Sequence, residues 1–113
     1  MTDDEDEAVL ELLEDEYARS ILIEASIEPM SVDTLTERCG ASPPTIYRRI
    51  EQLEEHEFVQ SYQELDPDGH HYKTYSTRLE RVAIEVGDGE MEIDVYRREE
   101  DPADRFTRLF EDL

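Results

Sequence analysis

The 113-residue sequence predicts an α+β fold, with helices in the first half and strands after them. Three observations lead there. Apolar residues recur at helical spacing between positions 8 and 53. At Phe58 the pattern changes to β-forming residues, interrupted by two turn signals, Asp66-Pro67-Asp68-Gly69 and Asp88-Gly89. A short apolar stripe at helical spacing returns at the end of the chain, in Phe106, Leu109, Phe110 and Leu113. A chain of this length is one domain by size, with a real but modest core.

Residues 1–7 read as a frayed acidic lead-in. From Ala8 the helical pattern runs through Val9, Leu10, Leu12, Leu13, Tyr17, Ala18, Ile21, Leu22 and Ala25. Asp15 can cap a second helix, but no Gly or Pro separates Leu13 from Tyr17, so the pattern allows one long helix or two short ones. The helical run ends before Pro29, because the residue preceding a proline avoids helical backbone angles. Ser31 caps the next helix, over about 32–39, with Asp33 in its first turn favourable to the helix dipole. Leu35 is its inward residue, helped by Val32 and Cys39. Gly40 then supplies the left-handed backbone that stops a helix. Ser42 is the N-cap of a helix over 43–57, and Pro43 suits its first position, where a missing N–H is harmless. Ile46, Ile50 and Leu53 form the apolar seam of this helix. Pro44, Tyr47, Arg48 and Glu51 lie roughly opposite, with Thr45 and Arg49 on the flanks. Two short helices joined by such a turn fit a helix-turn-helix, the second helix being the recognition helix. An ordinary amphipathic helical hairpin has the same pattern.

Residues 58–65 and 71–77 form a hairpin about the first turn, with polar and apolar residues mixed on both faces. Directly after a helix-turn-helix such a hairpin reads as a wing, with His70, His71 and Lys73 beside its tip. The second hairpin is better specified. Val82, Ile84 and Val86 alternate with Ala83 and Glu85, and Met91, Ile93 and Val95 alternate with Glu92 and Asp94. Placing Asp88-Gly89 at a type I′ turn pairs Gly87 with Glu90, Val86 with Met91, Ile84 with Ile93 and Val82 with Val95. Turn and alternation thus select one register. Asp101-Pro102 opens a last helix of about three turns, too short to stand alone in water, whose stripe must pack on something. The organisation that follows is a lead-in over 1–7, a winged helix-turn-helix over 8–77, an additional β-hairpin over 78–97, and a C-terminal dimerisation helix over 98–113.

Charge narrows the function. There are 32 acidic residues against 11 basic ones, a net of −21, and Lys73 is the lone lysine. The acid is spread over every segment, as in proteins of extreme halophiles, where molar salt shortens the screening length to about 3 Å. The apolar pattern beneath it argues against a disordered chain. Five of the eleven basic residues, Arg48, Arg49, Lys73, Arg78 and Arg81, lie in the middle of the chain and make a local concentration of positive charge there. The acidic N-terminus is unlike a signal peptide, and no apolar run approaches a membrane span, so a cytoplasmic protein is expected. One cysteine excludes an intrachain disulfide and a Cys-rich metal cluster. There is no Gly-rich phosphate loop and no nucleophile elbow, so no enzyme, cofactor or metal site is expected.

The motifs Glu16-Tyr17-Ala18-Arg19-Ser20-Ile21-Leu22, Met30-Ser31 and Ala41-Ser42-Pro43-Pro44-Thr45-Ile46-Tyr47-Arg48-Arg49-Ile50-Glu51-Gln52-Leu53, followed by Phe58-Val59, resemble the ArsR-type winged helix-turn-helix repressors, and most closely their haloarchaeal members. The resemblance covers about 10–77, with the terminal helix as a further likeness. It implies a sequence-specific DNA-binding transcription regulator. Such a regulator is a homodimer, with recognition helices in successive major grooves of a pseudo-palindromic double-stranded operator. Ser42 would cap the recognition helix and meet a phosphate. Thr45, Tyr47 and Arg48 stand where the family contacts bases, and Arg49 where it contacts base or backbone. Arg can donate two hydrogen bonds to guanine, and a Thr methyl can meet a thymine methyl. His70, His71 and Lys73 are phosphate candidates by position. The N- and C-terminal helices would form the dimer interface, through Leu10, Leu13, Phe106, Leu109, Phe110 and Leu113. Cations would bridge acidic side chains such as Glu51 to phosphate.

The sequence departs from the family in two places. The helix over 32–39 has only Cys39, where metal-sensing relatives carry paired cysteines, so thiolate metal sensing is not implied. Cys39 reads as a small core residue with a redox-sensitive thiol as the alternative. The second hairpin lies outside the family pattern and could extend the winged sheet or serve the dimer. The competing function is a winged-helix protein–protein interaction module without direct DNA binding, for which the acid throughout the chain is the support.

Overall fold

The computed structural model describes residues 3–98. Asp3 opens the first helix, α1 (Asp4–Glu14), with a capping box: its carboxylate accepts from the Asp6 N–H at 2.8 Å, and the Asp6 carboxylate accepts from the Asp3 N–H at 3.5 Å. Asp4, Glu5, Asp6 and Glu7 occupy the first turn, where the helix dipole favours acid. The expected lead-in therefore does not fray over 4–7; those residues are helical. The chain breaks once at Asp15, which leaves helical geometry (ψ 123°) and caps α2 (Glu16–Ala25) by accepting from the Ala18 N–H at 2.9 Å. Arg19 reaches back to donate to the carbonyls of Leu13 (2.9 Å) and Glu14 (2.6 Å), which the break leaves without helical partners. Of the two patterns the sequence allows, two short helices form.

Ser31 caps α3 (Val32–Cys39), its hydroxyl accepting from the Thr34 N–H at 3.2 Å, and Gly40 ends it in the left-handed region at φ 63°. The next helix, α4 (Pro43–Glu55), stops two residues short of the expected 57. Glu57 turns into the left-handed region (φ 58°), the Phe58 N–H donates to the Leu53 carbonyl at 2.8 Å, and the Glu57 N–H to that of Glu54 at 2.9 Å. This is a Schellman ending, with glutamate where glycine is usual.

The first hairpin pairs β1 (Val59–Leu65) with β2 (His71–Thr77), from Val59 opposite Thr77 to Leu65 opposite His71. Met30 and Tyr75 exchange both backbone hydrogen bonds, at 2.8 and 3.0 Å, so the hairpin is tied to the segment that opens α3. The buried Thr77 hydroxyl donates to the Leu22 carbonyl at 2.7 Å, holding β2 to α2. The second hairpin, β3 (Leu79–Gly87) with β4 (Glu90–Arg97), has the expected register from Val82 opposite Val95 to Gly87 opposite Glu90, with an irregularity between Leu79 and Arg81. It forms its own two-stranded sheet and does not extend the wing.

The core lies where α2, α3, α4 and the wing converge. Ala18, Ile21, Leu35, Ile46, Leu53 and Phe58 are fully enclosed, each large apolar side chain among them contributing about 1.5–3 kcal/mol by burial. The seam on α4, Ile46, Ile50 and Leu53, is the buried face the sequence predicts, and it turns Tyr47 and Arg48 outward. The expected C-terminal helix, with Phe106, Leu109, Phe110 and Leu113, lies outside the described residues.

Candidate nucleic-acid interface

The exposed side of α4 begins with two prolines. Pro43 and Pro44 occupy its first turn, so two of the N–H groups that commonly bind an anion at a helix start are missing. Ser42 has N-cap backbone angles (φ −78°, ψ 154°) but makes no side-chain cap, contrary to the sequence expectation. The reason is local: with proline at the second position, the remaining capping donor is the Thr45 N–H, and the Ser42 hydroxyl instead pairs with the Thr45 hydroxyl at 3.0 Å. These two hydroxyls present a small polar group at the end of the helix.

Tyr47 and Arg48 follow on the outward face, Tyr47 being 57% exposed. Tyr47 lines a groove with Ser31, Val32 and Asp33 from the start of α3 and with His71, Tyr72, Lys73 and Tyr75 from β2. α4 and β2, separated by some 25 positions in sequence, thus meet across one open surface. Tyr75 forms its floor. Burial raises the pKa of its hydroxyl, with Glu54 and Tyr47 adding to the shift, so Tyr75 stays a neutral hydrogen-bonding group. Asp33 and Asp66 line the same groove, so its charge is mixed and not uniformly basic.

Arg49 stands apart from Arg48. Its guanidinium meets the Asp15 carboxylate at 2.8 Å, and the two side chains are only 20% and 26% exposed. The hydrogen bond from Arg49 is the main cause that lowers the pKa of Asp15, with the Ala18 N–H adding to it against the cost of burial. The pair joins α4 to the break between α1 and α2. The role expected for Arg49 on base or backbone therefore does not fit its position: a helical step of about 100° turns it away from Arg48 and into the helical body.

The wing tip is built around Asp66. One carboxylate oxygen accepts from the N–H groups of Asp68 (3.0 Å) and His70 (2.8 Å), while the other lies 3.4 Å from His70 Nδ1. Gly69, at φ 85°, completes the turn. Ligand atoms of Asp66, Asp68 and His70 come within 4.8 Å of one another, a grouping the sequence reading did not anticipate. Spacing within the turn could have suggested it, since all three lie in five consecutive residues. The hydrogen bonds account for it as a turn-stabilising arrangement. His71 begins β2 opposite Leu65 and is exposed, as is Lys73. Cys39 is half-buried against the core; burial, then the Glu24 charge, raises its thiol pKa, which suits the packing role over a reactive one. Leu10 and Leu13 on α1 are half-buried, Leu13 against the core.

Residues 8–61 match a family model described as a helix-turn-helix domain. The matched stretch runs from within α1 into β1, and so contains the whole of α2, α3 and α4 but little of the wing. This part of the chain is similar to helix-turn-helix domains. A comparison with curated proteins finds no match. Among the described residues, no helix is long and apolar enough to cross a membrane.

Proposed function

We propose that this chain is a cytoplasmic, sequence-specific DNA-binding transcription regulator, acting without catalysis and as a homodimer on a pseudo-palindromic operator, adapted to high salt. The observation that carries this reading is the groove that Tyr47 of α4 shares with His71, Tyr72 and Lys73 of the wing strand, with Arg48 exposed next to Tyr47 on the same helix. In the proposed complex the first turns of α4 lie in the major groove. Arg48 reads a guanine edge, Thr45 offers its methyl to a thymine, and Tyr47 packs on the groove wall beside Lys73. The Ser42 hydroxyl, His70, His71 and Lys73 contact phosphate, and cations bridge Asp33, Asp66 and Glu51 to the backbone. Arg49 holds α4 in place through Asp15 and does not touch DNA.

The finer identity fits an ArsR-like repressor of haloarchaeal type, with Leu10 and Leu13 of α1 and the stripe Phe106, Leu109, Phe110 and Leu113 as the dimer contact. Arg48→Ala is the test. Arg48 is exposed, so the fold should be unchanged within about 0.5 kcal/mol. Site-specific affinity, measured by footprinting in high salt, should fall about 10- to 100-fold, the range for losing one bidentate base contact. Undiminished footprints would refute the recognition-helix assignment. A stoichiometric protein partner, with no DNA enriched, would favour the interaction-module reading.

A further inference from the structure

The groove between α4 and the wing strand is close to balanced in charge, and one histidine sets the balance. His71, Lys73 and Tyr75 share one face of β2 by the alternation of a strand, and all three line the groove. Asp33 enters it from the first turn of α3 and Asp66 from the wing turn. α4 contributes Tyr47, and Glu54 of the same helix acts on Tyr75 through its charge. Glu64 of β1 stands opposite Tyr72, with the Thr74 hydroxyl donating to it at 3.4 Å, and does not line the groove. With His71 neutral, the lining holds one ammonium against two carboxylates. With His71 protonated, positive and negative groups are equal in number.

High salt makes this local count decisive. At a screening length of about 3 Å, distant carboxylates are felt little, and a phosphate is governed by the groups it touches. An imidazolium on a phosphate oxygen makes a charge-assisted hydrogen bond, roughly twice as strong as one between neutral groups. Histidine is the side chain whose ordinary titration falls between about pH 5 and 8. Burial raises the pKa of Tyr75 and of Cys39, so neither enters that range from above. The chain has three histidines. His70 is held at the wing turn, its Nδ1 3.4 Å from the Asp66 carboxylate. His56 lines a separate cleft with Glu11, Asp15 and Glu55, which shares no residue with the groove. His71 is exposed in the groove and is paired with no carboxylate among the described residues.

We propose that DNA binding in this groove takes up a proton at the His71 imidazole, so that site-specific affinity rises as pH falls from about 8 to about 6. The phosphate favours the imidazolium, and by linkage the imidazolium favours the phosphate to the same degree. This rests on the DNA-binding reading above and adds the regulation of that same site. The test uses the full-length chain in about 2 M KCl, with duplexes enriched from a random-sequence pool at about pH 6 and at about pH 8 as the probe. Binding to an enriched duplex should be at least about fivefold tighter at the lower pH, with unchanged circular dichroism. His71→Gln keeps a neutral donor at an exposed site. It should lose most of the pH dependence and bind at the lower pH about as weakly as the native chain does at the higher one. His56→Gln should keep the pH dependence in full. A native affinity that is flat with pH, or a dependence that survives undiminished in His71→Gln or disappears in His56→Gln, would overturn the proton switch and spare the DNA-binding reading. Enrichment of no sequence at either pH would overturn both.

Discussion

Asp15 and Arg49 show how one side-chain pair can decide what a helix is free to do. Asp15 ends α1, caps α2 and holds Arg49, so a single carboxylate fixes the angle between the helical body and α4. The pair is neither open to solvent nor enclosed, so its worth lies between that of an exposed pair and a buried one. Arg49→Ala should cost about 1–2 kcal/mol at neutral pH. The sign with pH follows from the lowered pKa of Asp15. A carboxylate whose folded pKa lies below its unfolded value contributes stability above the unfolded value, about 3.9, and loses it as pH falls through the folded one. Denaturant unfolding at fixed high KCl should therefore show a constant gap between the native sequence and Arg49→Ala above about pH 5. The gap should close progressively below about pH 4. A gap that persists unchanged into strong acid would mean that Arg49 stabilises through packing and not through Asp15.

At the scale of elements, what the sequence could reveal depended on whether a local signal existed. The second hairpin was legible because Asp88-Gly89 and the alternation of Val82, Ile84 and Val86 independently demand one register. The buried seam of α4 was legible because Ile46, Ile50 and Leu53 have helical spacing. The outward face with Tyr47 and Arg48 followed from it, but the removal of Arg49 did not: a helical wheel gives an angle and says nothing of the Asp15 carboxylate far back in the sequence. The loss of the Ser42 cap was readable in principle from Pro44, which removes a capping donor. The end of α4 was hidden because no glycine marks it; Glu57 takes the left-handed position instead. That position costs a residue with a Cβ about 1–2 kcal/mol, against which glycine's extra unfolded-chain entropy returns about 0.5–1 kcal/mol. Glu57→Gly should therefore raise stability by about 0.5–1 kcal/mol, and removing a negative charge from the carbonyl end of the helix acts in the same direction. Equal or lower denaturation midpoints for Glu57→Gly would show that the glutamate side chain makes a compensating contact.

The whole molecule is governed by its charge. A net of −21 on 113 residues includes four consecutive acids in the first turn of α1 and Glu51, Glu54, Glu55 and Glu57 along and beyond the second half of α4. Like charges at helical spacing cost about 0.2–0.5 kcal/mol per pair, and the arginine–carboxylate pairs Arg38–Glu24 and Arg49–Asp15 offset little of the sum. Against a domain stability of about 5–15 kcal/mol, such repulsion should destabilise this fold at low salt. The screening length falls from about 10 Å at 0.1 M to about 3 Å at 1 M. Circular dichroism should show a cooperative melt at about 2 M KCl and a loss of structure near 0.1 M; full structure in 0.1 M salt would sink the halophilic reading. The same charge would shape the proposed DNA binding. Each phosphate neutralised by a basic residue contributes about −0.9 to the slope of log affinity against log salt, and Arg48 and Lys73 are the proposed interface's permanently cationic side chains. Cations drawn in beside Asp33, Asp66 and Glu51 act in the opposite direction, since binding takes them up. The slope measured on folded protein should thus be shallower than about −2, or positive, where a basic repressor with six to ten phosphate contacts gives about −5 to −9. A steep loss of affinity with rising KCl would show that DNA meets a basic surface other than the groove formed by α4 and the wing.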